Sequence, residues 1–188
     1  MNELEERFKV HANSAAACVF CDYTNIEATK PINLISNLLS QILERQETLP
    51  ETLADLFEKQ QGRASEPSLK DLNDIFHDLA KTQKIYLIVD ALDECPETED
   101  SRNILLQQLS YLRGVCSILL TGRPSVSISE YFDNYLTIEI SAKESDIDLY
   151  IAGHLSGRLQ SHIKKNPSLY EEIRSVVKER AQDMYVFF

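Results

Sequence analysis

Hydrophobic residues along this chain follow two different patterns. Ile32, Ile35, Leu38, Leu39, Ile42 and Leu43 recur at helical spacing behind Pro31. The fixed φ and missing N–H of a proline suit a first helical turn, so this pattern predicts an amphipathic helix. Leu53, Leu56 and Phe57 mark a shorter helix, and Leu69, Leu72, Ile75, Phe76 and Leu79 mark a third. Ser68 is placed to cap that third helix, with Asp71 at its third position. Three other runs, Ala15 to Cys21, Ile85 to Val89 and Val115 to Leu120, are continuously apolar. They lack the alternation of a half-exposed strand and suit parallel strands covered on both faces. Tyr135 to Ile140 is β-rich and is a fourth strand candidate. From Glu144 onward helical spacing returns in Ile147, Tyr150, Ile151, His154 and Leu155, then in Leu169, Ile173, Val176 and Val177. Strands separated by helices require crossover connections, so the expected class is α/β with a mainly parallel sheet, followed by a helical unit.

Composition narrows the function classes. A chain of 188 residues can bury a sizeable core as one domain, or one and a small part. Lys plus Arg number 19 against 30 Asp plus Glu, and a net charge of −11 repels a phosphate backbone, so nucleic acid is not an expected partner. Residues 1–150 carry 13 basic and 26 acidic side chains, whereas residues 151–188 carry 6 and 4. This shift places a boundary near position 141, giving an expected α/β core over 1–141 and the start of a helical subdomain over 142–188. Arg158, Lys164, Lys165, Arg174, Lys178 and Arg180 in that tail read as a solvated helix surface that complements the acidic body. The most loop-like stretches are Gly62 to Pro67 and Cys95 to Ser101.

No membrane span is expected, because the longest apolar run is the seven residues Ala15 to Cys21. Glu3, Glu5 and Glu6 stand where a secretory signal would be basic and then apolar. A cytoplasmic location with four reduced cysteines is the expectation. Cys18 and Cys21 have C-x-x-C spacing but fall in a predicted strand, where residues three apart point to opposite faces, so they read as core residues. Cys95 and Cys116 complete no second pair, and the four histidines show no metal-ligand spacing.

The most informative segment is Ile85-Tyr86-Leu87-Ile88-Val89-Asp90-Ala91-Leu92-Asp93-Glu94, where five apolar residues run into three acids within five positions. In an open parallel sheet, ligands bind in the crevice beyond the carboxyl ends of the strands, where these acids would stand. Hard oxygen ligands there suit Mg²⁺, which takes one or two carboxylates and keeps several waters. The run ending at Leu120 delivers Thr121-Gly122-Arg123-Pro124 at its own carboxyl end. Asp90 and Arg123 are therefore expected on the same edge of the sheet.

Five apolar residues followed by Asp90-Ala-Leu-Asp93-Glu94, with a later Thr121-Gly-Arg123-Pro124, resemble the Walker B and sensor regions of NACHT-type STAND signalling NTPases. The likeness is to fungal NOD-like receptors and nephrocystin-like N-terminal P-loop regions. Ala17 to Tyr23 resembles the family's second strand, Asn33 to Leu43 its following helix, and Glu144 to Ile151 the opening of its small helical subdomain. The resemblance implies a partial P-loop NTPase three-layer sandwich without its central Walker A strand. It further implies that Asp90 holds a Mg²⁺-bound water, that Asp93 or Glu94 polarises the attacking water, and that Arg123 senses the γ-phosphate of ATP or GTP. Two departures stand out. No G-x-x-x-x-G-K-[ST] loop exists among the 188 residues, and Asp183 stands where family members usually carry Gly. A fragment shortened at both ends relative to the family is the expectation, without ATP hydrolysis of its own.

By the same resemblance, the parent would be an intracellular immune or incompatibility receptor, with an effector before this domain and ankyrin or WD repeats after it. Self-association, or docking on intact relatives, is then the expected mode of partnering. Two other functions fit the residues. One is a nucleotide-independent interaction module; the other is a Mg²⁺-dependent phosphohydrolase or nuclease built on Asp90, Asp93 and Glu94 without a P-loop.

Overall fold

The computed structural model describes residues 13–46, 48–60, 66–96, 100–123, 125–140, 143–154 and 157–181. These residues form two compact units that divide between Leu136 and Thr137. The first unit runs β1 (Ser14–Phe20), α1 (Pro31–Leu43), α2 (Glu51–Gln60), α3 (Leu69–Leu79), β2 (Lys84–Asp90), α4 (Ser101–Leu112) and β3 (Cys116–Leu120). Its sheet has the order β1-β2-β3 with both pairings parallel. Ser14 lies opposite Lys84 and Phe20 opposite Asp90, while Val89 lies opposite Leu120. The expected α/β class with a parallel sheet is present.

Helix α1 begins at Pro31 and turns Leu34, Ile35, Leu38, Leu39 and Ile42 into the core. They meet Ala15, Ala17 and Val19 of β1 and Leu87 and Val89 of β2 in one cluster, together with Ile75 and Phe76 of α3. Each fully buried aliphatic side chain there contributes about 1.5–3 kcal/mol relative to exposure. Helix α3 starts as its sequence indicates. Ser68 accepts from the Asp71 N–H and the Asp71 carboxylate accepts from the Ser68 N–H, a reciprocal cap that satisfies two helix-end donors.

The expectation that the strands are covered on both faces holds only in part. Ile85, Leu87 and Val89 are buried, whereas Tyr86 and Ile88 on the opposite face of β2 are half-buried. The two outer edges of the sheet also differ. At β1, the Gln41 side chain of α1 pairs with both backbone groups of Cys18, accepting from its N–H at 3.0 Å and donating to its carbonyl at 2.8 Å. Arg45 donates to the Ala16 carbonyl at 3.3 Å. At β3, no described residue pairs with the edge that faces away from β2.

The fourth strand candidate, Tyr135 to Ile140, is not a strand. Its backbone makes no hydrogen bond to a described residue, and Tyr135, Leu136, Ile138 and Ile140 are exposed. High β propensity alone forms no strand without a partner ladder. Conversely, α4 is a helix beyond those expected from the pattern above, although Leu105, Leu106, Leu109 and Leu112 recur at helical spacing and are all buried. Most of the loop-like stretch 62–67, and residues 97–99 of the second one, lie outside the described residues.

The second unit holds α5 (Glu144–His154), α6 (Gly157–Lys165) and α7 (Ser168–Ala181). Ile147 and Ile151 are its buried apolar positions, and Asp148 of α5 accepts from Arg174 of α7 at 2.7 Å. Asp183 lies outside the described residues. Among the described residues, no helix is long and apolar enough to cross a membrane.

Candidate functional site

Asp90 is the last residue of β2, and the chain turns immediately behind it. Ala91 takes a left-handed conformation at φ 55° and opens a short 3₁₀ turn over Leu92–Glu94. A residue with a Cβ is strained there by about 1–2 kcal/mol. Leu92 is buried and anchors the turn from below. Asp93 and Glu94, the next two residues, are half-buried.

Strand β3 ends beside this turn. The Leu92 N–H donates to the Thr121 carbonyl at 2.8 Å, and the Thr121 N–H donates to the Val89 carbonyl at 3.0 Å. The Thr121 hydroxyl accepts from the Ala91 N–H at 3.0 Å and donates in turn to the Asp90 carboxylate in a short hydrogen bond. Asp93 receives Arg123 twice: its Oδ1 accepts from the Arg123 N–H, and its Oδ2 pairs with the Arg123 Nε, both at 3.2 Å. The Asp93 side chain is 17% exposed and that of Arg123 63%, so the pair reaches from the turn into solvent. Gly122 leaves little room, since a Cβ there would lie 3.4 Å from both the N and the Oδ1 of Asp93.

Asp90, Asp93 and Arg123 therefore gather at one end of the sheet, as two parallel strands with matched ends require. Glu94 shares the turn, but its carboxylate has no hydrogen bond or ion pair with a described residue. Two members of the site are assigned no role by the sequence pattern, although Thr121 stands in the segment that carries Arg123. Thr121 links both strand ends through one hydroxyl. Arg102, at the start of α4, donates to the carbonyls of Asp93 at 3.0 Å and Cys95 at 2.8 Å and so fixes the turn from behind. A polar residue at a strand end and an arginine early in a helix are too common in sequences to single out.

Beneath the turn lie two thiols. The Cys21 N–H donates to the Asp90 carbonyl at 2.9 Å, which places Cys21 directly beside the end of β2. Cys21 and Cys95 are both buried. The neighbouring Cys95 thiol and burial push the Cys21 thiol up from its ordinary value. Cys95 is shifted the other way, by the neighbouring Cys21 thiol and by the Arg102 charge nearby. Burial alone pushes Cys116 up to about 12. Cys21 is buried just beyond the end of β1, whereas Cys18, within β1, is half-buried.

The Asp90 carboxylate and the Thr121 hydroxyl are adjacent hard oxygens, the kind of donor a hard cation takes. Among the described residues, however, no three His, Cys, Asp or Glu side chains come together as a ready metal cage. These features define an α/β protein with an acidic turn and an arginine at the carboxyl edge of a parallel sheet. The family model described as Nephrocystin 3, N-terminal matches residues 1–123, covering all three strands and ending at Arg123, and the chain belongs to that family. No curated protein and no solved structure matches the chain.

Proposed function

We propose that the first unit is the acidic and arginine side of a nucleotide-binding crevice in a NACHT-type signalling domain of the P-loop NTPase class. The observation that carries this reading is the meeting of two strand ends, Asp90 with Thr121 and Asp93 with Arg123. In it, Asp90 would help hold Mg²⁺ through water, Asp93 or Glu94 would orient the attacking water, and Arg123 would contact the terminal phosphate of ATP or GTP. The donors fit that use: the Asp90 carboxylate and the Thr121 hydroxyl are adjacent hard oxygens, and Mg²⁺ combines one or two carboxylates with waters and phosphate oxygens. A bound Mg²⁺–nucleotide would supply charge stabilisation on the transferring phosphoryl group. The Asp93–Arg123 pair must open for either side chain to reach a nucleotide. Because the 188 residues contain no G-x-x-x-x-G-K-[ST] cradle, this chain on its own is expected to show no ATP turnover.

The test is calorimetric titration of the chain with Mg²⁺ alone, ATP alone and both together. Mg²⁺ binding that depends on the nucleotide, and that Asp90→Ala removes, is the expected result. Equal Mg²⁺ binding with and without ATP would point instead to the metal-dependent phosphohydrolase. That alternative fits the donors poorly, since two-metal chemistry draws its acids from several elements, whereas Asp90, Asp93 and Glu94 come from one strand end. ATP turnover abolished by Asp90→Ala would overturn the expectation of an inactive chain.

A second reading, a nucleotide-independent interaction module, is favoured by the unequal sheet edges. Side chains of α1 cover the outer edge of β1, whereas the outer edge of β3 has no partner among the described residues. Uncovered edges are templates for pairing with another chain, so the partners proposed are other copies of this chain or intact relatives. Absence of binding in all three titrations, together with concentration-dependent sedimentation, would favour this module over the crevice.

A further inference from the structure

Both oxygens of the Asp93 carboxylate are taken by one residue. Oδ1 accepts from the Arg123 backbone N–H and Oδ2 pairs with the Arg123 Nε, each at 3.2 Å. The two contacts differ in what can move. The Arg123 N–H is set by the chain just beyond β3, where Thr121 is bonded through its own N–H and carbonyl to Val89 and Leu92 and Gly122 lies close against Asp93. The guanidinium stands on a side chain that is 63% exposed, against 17% for Asp93, so it can swing into solvent while the carboxylate stays in place. Ion pairs that reach solvent bias an equilibrium by only up to about fivefold. A phosphate competes well for the same guanidinium, because it offers charge-assisted acceptors that match the planar fork.

From this division we infer that Arg123 is a latch on Asp93 that a polyphosphate opens. Its side chain masks Oδ2 until an anion draws it away, and its main chain then keeps the freed carboxylate aimed. The inference rests on the crevice reading above and adds an order to it: the anion enters first, and Oδ2 becomes available to a cation or a water only afterwards. A cation that arrives alone meets an acid already neutralised by a guanidinium. Each ligand takes one member of the pair and spares the other the work of breaking it, so anion and cation bind with positive coupling, and that coupling is reciprocal. Asp90 lies outside this control, because the Thr121 hydroxyl and not a cation is bonded to it.

The full-length chain at neutral pH is titrated with sodium tripolyphosphate, without metal or nucleoside, while NMR follows the Arg123 Nε–H and the Asp93 carboxyl carbon, both assigned through their backbone resonances. The expected result is movement of both signals with one midpoint, and no response of the Asp93 carbon in Arg123→Gln. Asp93→Asn should bind tripolyphosphate about two- to fivefold more tightly than wild type, since its guanidinium is already free. Glu94→Gln removes the same charge from the same turn but no ion pair, and should tighten binding less. An Arg123 signal that stays put throughout, an Asp93 signal that stays put while that of Arg123 moves, or equal tightening by the two variants would overturn the latch. If Asp93→Asn does not fold, the two wild-type signals decide on their own. A parallel series with ATP and Mg²⁺ separates the latch from the reading beneath it. Binding of ATP and Mg²⁺ that leaves the Asp93 signal unmoved would sink the latch and keep the nucleotide crevice, whereas coupled movement with tripolyphosphate in a chain that binds no ATP would keep the latch and sink the nucleotide.

Discussion

Replacing Thr121 by valine removes one oxygen and leaves the shape of the side chain almost unchanged. In the structure that oxygen accepts from the Ala91 N–H at 3.0 Å and donates to the Asp90 carboxylate. The variant leaves both partners without it. A hydrogen bond to a charged group contributes about 1.5–3 kcal/mol, and an orphaned buried donor costs about 1–3 kcal/mol. All three residues are half-buried, so water recovers part of each loss and a net destabilisation of about 2–3 kcal/mol is expected. That corresponds to roughly 30- to 150-fold in the unfolding equilibrium, a large share of the 5–15 kcal/mol typical of a domain. The chain has no tryptophan, so the assay is thiol labelling across a urea series, because Cys21, Cys95 and Cys116 are buried in the first unit alone. Thr121→Ser, which keeps the hydroxyl, should lose less than about 1 kcal/mol. A valine variant within about 0.5 kcal/mol of wild type, or a serine variant as damaged as valine, would show that the hydroxyl does not tie the strand ends together.

Ala91→Gly should raise stability by about 0.5 kcal/mol, because glycine removes the left-handed strain of roughly 1–2 kcal/mol while adding about 0.5–1 kcal/mol of chain entropy; a loss above about 1 kcal/mol in the same urea assay would contradict this. In the second unit, the Arg174 hydrogen bond holds the Asp148 carboxyl below its ordinary value of 3.8. A carboxyl depressed on folding stabilises above its unfolded value, so the α5–α7 contact should weaken as pH falls below about 3.8. Arg174→Ala should move the Asp148 midpoint upward in a carboxyl NMR titration, and an unmoved midpoint would rule the pairing out. Ser68→Ala should cost about 1 kcal/mol by removing half of the reciprocal cap of α3, measured by urea unfolding against the wild-type chain.

How far the sequence reveals this molecule depends on the range of the physics involved. Helices α1 and α3 announce themselves through local spacing, a proline and a cap, all within a few residues of one another. The three parallel strands are visible as continuous apolar runs, and the site follows from them, because acids and an arginine placed after such runs must emerge at one edge. Tyr135 to Ile140 misleads for the opposite reason: a strand exists only where a ladder accepts it, and its composition says nothing about a partner. Helix α4 has the leucine spacing but no side-chain cap, since Asp100 takes a left-handed conformation and bonds no N-terminal amide. The Thr121 bridge depends on contacts across distant positions, which no local pattern encodes.

The parallel pairing of β1 with β2 also sets a timetable for synthesis. Ser14 waits for Lys84 and Phe20 for Asp90, roughly 70 residues later in each case. At ribosomal rates of about 5–20 residues per second, the apolar stretch from Ala15 to Phe20 leaves the tunnel about 4–14 s before its partner does. No hairpin can shelter it in the interval, because a parallel neighbour is reached only through a crossover. A nascent chain stalled before Lys84 should therefore be a substrate for chaperones that bind extended apolar segments, and release should follow once translation has passed Asp90.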